Sequence, residues 1–161
     1  MEKQLYKELN KQVIKELYSA YLYMSMASFF DSINLKGFAH WMKVQAEEES
    51  QHAMKIYDYI NERGERVIFE LIEKPPYEFT SPLDIFEKTL EHEKKVTKSI
   101  EGLVNLAKEK NDKNAEDFLQ WFVKEQEEEE ENALSVLEKL KSIGNEKHML
   151  IEMDIEMGKR E

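Results

Sequence analysis

Residues 38–60 read FAHWMKVQAEEESQHAMKIYDYI. Taken at alternating steps of four and three they give Phe38, Met42, Gln45, Glu49, His52, Ile56 and Tyr59, a helical stripe apolar at both ends and polar in its middle. Apolar residues at that spacing are what a helix buries. A Glu and a His at i and i+3, turned to the same side, are not. Working outward, three more stretches carry the same pattern. Upstream lie Leu9, Val13, Glu16, Ala20, Tyr23, Ala27 and Phe30; downstream lie Leu83, Phe86, Leu90, Glu93, Thr97, Ile100, Val104 and Ala107. The last stripe is Leu119, Phe122, Gln126, Glu129, Ala133, Val136 and Leu140.

The spacing predicts helices over about Leu5–Ile33, Lys36–Arg63, Pro82–Lys110 and Ala115–Ile143. Asn34-Leu35-Lys36-Gly37 and Asn111-Asp112-Lys113-Asn114 supply short turns, Ser81 with Pro82 starts the third helix, and Gly64 and Gly144 end the second and fourth. A helix of about 28 residues is about 42 Å long at 1.5 Å per residue. The stretch Glu65–Ser81, with Pro75-Pro76, has no helical period; at roughly 17 residues it can extend about 55 Å and cross a full helix length. The fold class expected is therefore all-α: a four-helix bundle over about 4–143 with one long crossover connection. A short C-terminal helix follows at about 146–158, and the whole chain, 1–161, makes a single domain.

Composition narrows the chemistry. There is no cysteine, so thiolate zinc sites, disulfides and rubredoxin-type iron are excluded, and a metal must be held by oxygen and nitrogen. No stretch approaches the roughly 20 apolar residues of a membrane span, and MEKQLYKELNK has no signal-peptide core. The expectation is a cytoplasmic protein with no membrane partner. A formal charge of −11 disfavours nucleic acid as a partner and suits cations.

The polar breaks fall within about three residues of each helix midpoint, so they converge within about 5 Å of one level along the bundle. An unpaired buried carboxylate costs several kcal/mol, and neighbouring ones repel. No Lys or Arg occupies these stripe positions, so a bound cation is the economical counter-charge. Several carboxylates with one imidazole suit iron or manganese better than tetrahedral zinc.

On these residues the chain resembles the non-haem ferritins of the ferritin-like di-iron superfamily. The segments that carry the likeness are KELYSAYLY around Glu16, AEEESQH from Ala46 to His52, EHE around Glu93 and FLQWFVKEQEEEE from Phe118 to Glu130. The resemblance implies an iron-storage protein with ferroxidase activity, oxidising Fe(II) with dioxygen or peroxide at an intrasubunit di-iron centre. The Fe(III) mineral would be deposited inside a homo-oligomeric cage of 24 subunits. By similarity Glu16, Glu49 and His52 hold the first iron, Glu49 bridges to a second held by Glu93, and Gln126 lies beside that second ion. Glu48, Glu125 and Glu129 correspond to a third, weaker iron site. Tyr23 matches a tyrosine near the centre that can supply an electron, although an ordinary core aromatic would occupy the same position.

The general di-iron bundle has two Glu-x-x-His motifs; here the second is replaced by Gln126-x-x-Glu129, which makes the two iron positions unequal. Ser50 follows Glu49 where haem-binding relatives carry a Met, so no haem is expected. His40, His92 and His148 fall off the stripes and are expected at the surface or an interface. Leu119 replaces an acid that lines a three-fold channel in animal ferritins. Met149, Met153 and Met157 fit either a frayed tail or a buried contact. A rubrerythrin-like oxidase and a DNA-protecting mini-ferritin share the bundle; the lack of cysteine and the chain's own ligand set weigh against them.

Overall fold

Five helices and no strand carry the chain through residues 1–161 of the computed structural model: α1 Lys3–Ser32, α2 Lys36–Glu62, α3 Pro82–Glu109, α4 Lys113–Ile143 and α5 Lys147–Met157. The helices begin where the sequence supplies acceptors for their free N–H groups. Glu2 accepts from the amides of Gln4 and Leu5, Ser81 from Asp84, and Asp112 from Ala115. The two tight turns use Asn34 (φ 61°) and Asn111 (φ 55°), a residue type that tolerates the left-handed region. Each turn reverses the chain, so α1 packs antiparallel on α2 and α3 on α4.

The crossover between the two hairpins has no regular structure, and α1 satisfies part of its backbone instead. The Asn10 amide donates to the Ile68 carbonyl at 2.8 Å and accepts from the Ile68 N–H at 2.8 Å, while Tyr6 Oη reaches the Arg66 carbonyl at 2.5 Å and Ser25 Oγ the Pro76 carbonyl at 2.6 Å. At the far end Arg63 pairs with Asp112 at 2.8 Å, tying the end of α2 to the start of α4.

Helix α5 docks on the start of α2. No side chain of the α1–α2 turn caps α2; Asp154 Oδ1 accepts from the Phe38 N–H at 2.9 Å and does so from across the fold. The approach is so close that a Cβ on Gly37 would lie 1.6 Å from the Asp154 carbonyl oxygen, so only glycine fits there.

The four stripes are buried except at Leu83, Leu90 and Thr97 of α3, which are half-buried. Helix α3 is rotated slightly from its expected face, so that Ile85, Thr89, Val96 and Leu103 complete its inner side. The apolar core divides in two. One cluster gathers around Tyr23, Phe30, Phe38 and Phe86 and extends to Met153 and Met157 of α5; the other gathers around Leu5, Leu9, Ile56, Ile100 and Leu119. Between them lies a buried polar layer. No helix is long and apolar enough to cross a membrane.

Candidate metal centre

The polar layer draws on all four long helices at mid-height. Glu49 of α2 has no exposed surface. Its Oε2 stands 3.1 Å from His52 Nδ1, and its Oε1 accepts from Gln45 Nε2 at 3.3 Å. From α1, Glu16 Oε1 accepts from Gln12 Nε2 at 2.9 Å, while Oε2 is buried without any hydrogen-bond partner and lies 3.9 Å from His52 Nδ1. Glu93 of α3 accepts from Tyr23 Oη on one oxygen and from Gln126 Nε2 at 3.1 Å on the other. Glu129 of α4 accepts from the same Gln45 amide that reaches Glu49. His52 Nε2 points the other way, 3.6 Å from Glu125 Oε1.

Three sets of donors each bring their ligand atoms within 4.8 Å of one another: Glu16, Glu49 and His52; Glu49, Glu93 and Glu129; His52, Glu125 and Glu129. Each set shares a member with the next, so the donors form one connected cluster rather than three separate ones.

Electrostatics mark this cluster as short of positive charge. Burial pushes the Glu49 carboxyl well above the usual range, and the charges of Glu93, Glu16 and Glu129 push it further. Glu129 is driven up to about 8, first by burial and then by Glu93, against the pull of the Gln45 donor. Glu93 is raised by burial, opposed by its hydrogen bonds from Tyr23 and Gln126. The Tyr23 phenol is pushed up by burial and by the carboxylates of Glu93 and Glu49. Protons or a metal cation can supply the missing charge. The orphaned Glu16 oxygen, aimed into an oxygen-and-nitrogen donor set, fits a hard or borderline dication such as iron.

The structure brings Glu16, Glu49, His52, Glu93, Gln126, Glu129 and Tyr23 together in the core. Glu48 and Glu125 stand at its rim, lining with His52, Gln51, Lys55 and Trp121 a cleft of about 340 Å³ between α2 and α4. Trp121 meets His52 edge-on at 5.4 Å and forms one wall.

The structure also places the residues whose roles the sequence left open. His92 sits half-buried in an open cleft beside Tyr18, its Nε2 is 2.7 Å from Ser19 Oγ, and it packs against Tyr18 and Tyr23. It flanks Glu93 on the side facing α1, where burial and Lys95 hold its pKa down to about 4. Leu119 is fully buried, so it lines no channel. Met153 and Met157 pack into the bundle and Met149 is exposed.

The supporting donors were not read from the sequence. Gln12 precedes Glu16 by one helical turn and Gln45 precedes Glu49 likewise, so an amide four residues before each carboxylate was the available signal. Arg160, which reaches Gln45 and Glu48 from the chain's far end, left none.

Known proteins agree with this architecture. A family model for the ferritin-like domain matches residues 6–143. The chain is 38% identical over 160 residues to a bacterial non-heme ferritin of Bacteroides fragilis, covering 99% of both chains. It is 42% identical over 144 residues to the bacterial non-heme ferritin of Campylobacter jejuni, covering 89% of this chain and 86% of that one. A ferritin from the hyperthermophilic archaeon Archaeoglobus fulgidus, described as a novel open-pore ferritin, superposes with a TM-score of 0.99 at 50% identity, covering 100% of this chain and 99% of that one. A bundle with one long crossover, four helices converging on buried carboxylates and a match over almost the whole chain lead to one assignment: this protein belongs to the ferritin family.

Proposed function

We propose that this ferritin oxidises Fe(II) at the buried centre and stores the product as an Fe(III) mineral inside a cytoplasmic cage of 24 copies, the whole chain acting as a single domain. The observation that carries the reading is the Glu16 oxygen, buried without a partner beside His52 and Glu49, in a cluster that has acid groups from every long helix and no lysine or arginine inside it. Iron is the substrate. Glu16, Glu49 and His52 hold one ion, Glu49 and Glu93 the other, and Glu48, Glu125 and Glu129 a third, weaker position at the cleft. Each Fe(II) of the pair gives up one electron, and dioxygen takes both with two protons to leave as hydrogen peroxide; peroxide can take two electrons from a further pair of Fe(II), with two protons, and leave as two waters.

The protein's own contribution is position and charge. Carboxylates favour the higher charge of Fe(III) over Fe(II), and the apolar clusters above and below keep bulk water from the pair. Gln126 and Tyr23 hold Glu93 by its two oxygens, which fixes the direction of its lone pairs. The Tyr23 phenol, kept protonated by its surroundings, is placed to supply an electron. The α2–α4 cleft gives oxidised iron a route outward past Glu125.

Stopped-flow absorbance after mixing the assembled protein with Fe(II) in air tests the centre. Glu49→Ala and His52→Ala should abolish the fast phase while helical circular dichroism is retained; a Glu49→Ala protein that oxidises iron as fast as the parent would refute it. Native mass spectrometry tests the cage, and a dimer or dodecamer stable at all salt concentrations would rule it out.

A further inference from the structure

Arg160 lies one residue from the end of the sequence, yet its side chain is only 16% exposed. Its Nη2 donates to Gln45 Oε1 at 2.9 Å and to Glu48 Oε2 at 3.0 Å, and its Nη1 donates to the Trp41 carbonyl at 3.1 Å. The guanidinium lies over the Trp41 ring, 4.1 Å from its centroid. The backbone is fixed as well, because His40 Nε2 donates to the Arg160 carbonyl at 2.6 Å and Asp154 anchors α5 to α2. Among the carboxylates of the centre and its rim, Glu48 alone has a lysine or arginine partner.

Two consequences follow from the chemistry of a guanidinium, which donates hydrogen bonds and accepts none. The Gln45 atom facing Arg160 has to be the oxygen, so the amide nitrogen has to face Glu129 and Glu49, as it does. Glu48, meanwhile, is turned onto a fixed cation. Arg160 occupies one oxygen of Glu48, so a metal approaching Glu48 meets a fixed positive charge and competes with it for that oxygen.

We propose that Arg160 is a positioning residue for the outer iron position: its guanidinium holds Glu48 by one oxygen, so that a cation at the third position competes with Arg160 for Glu48. The inference rests on the third position assigned above. In this arrangement the C-terminus keeps that position weak, so iron passes through it rather than staying.

Isothermal titration of the assembled, metal-free protein with Zn(II) alone reads this without any redox step. The parent should bind three ions per subunit, the last most weakly. Arg160→Ala should tighten the last step about 3- to 5-fold, the upper part of the range expected for releasing a partly exposed ion pair. The first two steps should stay within about twofold. In a Glu48→Gln background the same change should leave the last step unaltered, whereas a purely structural effect would persist there. Arg160→Lys should restore most of the parent behaviour, since it keeps the charge beside Glu48. If Arg160→Ala does not assemble, Arg160→Gln keeps the stem on Trp41, removes the charge and carries the same expectation. A parent that takes only two ions overturns both the third position and this inference. A parent that takes three, with a last step indifferent to Arg160 or equally sensitive without Glu48, overturns the inference alone.

Discussion

Filling the buried acid cluster with a divalent ion should expel the protons that its raised carboxyls hold. A carboxyl with a pKa of about 8 is about nine-tenths protonated at pH 7, so Glu129 alone holds about 0.9 proton there in the metal-free protein. Glu49 is pushed in the same direction by burial and by its three acidic neighbours, so it adds to the protons released. Titrating Zn(II) at pH 7 in two buffers of different ionisation enthalpy gives the count directly. Glu129→Gln should lower it by about one, a difference that cancels protons lost from metal-bound water. At pH 9 Glu129 retains only about a tenth of a proton, so the same substitution should then change almost nothing. The stability of the metal-free protein follows the same groups. Their folded pKa values lie above the ordinary 4.5, so the stability they contribute is complete below that pH and is lost as pH rises, for Glu129 through about 8. The metal-free protein should therefore melt lower at pH 8.5 than at pH 6, and Glu49→Gln should melt higher than the parent at the upper pH. A release at pH 7 that Glu129→Gln leaves untouched would refute the reasoning.

Two substitutions away from the centre test the scaffold. Gly37→Ala puts a Cβ against the Asp154 carbonyl and should cost about 1–3 kcal/mol, seen as a lower melting temperature with faster hydrogen exchange along α5. Asp112→Ala removes both the α4 cap and the partner of Arg63; it should cost about 1–2 kcal/mol in thermal unfolding and leave the fast phase of iron oxidation intact.

The long helices were legible because their ends carry local signals, such as Ser81-Pro82, Gly64, Gly144 and the two asparagine turns, and local signals are what a linear reading can use. The centre was legible for a related reason. A carboxylate on an apolar stripe contradicts the rule that makes the stripe, and Glu16, Glu49, Glu93 and Glu129 contradict it at one level. Helix α3 departs from its local pattern: a rotation of a fraction of a turn left Leu83 and Leu90 half-buried and drew in Ile85 and Thr89, a choice made by packing against neighbouring helices. The contacts of His92 were not legible, because flanking a stripe leaves a side chain facing whichever neighbour happens to be close, here Ser19 and Tyr23. The grip of Arg160 on Gln45 and Glu48, and of Asp154 on α2, spans more than a hundred residues, and no period or motif connects such pairs before the chain is folded.

The division of the apolar core into two blocks has a mechanical meaning. Each long helix is gripped at both ends, like a beam held in two vices, and the mutually repelling acids sit at mid-span. Splaying the helices apart at the centre would have to bend four such beams against packed side chains at either end, and close-packed interiors resist that. The repulsion therefore cannot be relaxed by movement of the backbone. A change of charge within the layer can relieve it, and the spacing of the helices is held while ions of different valence come and go; adjustment then falls to side-chain torsions, which turn in far less time than a bundle needs to open.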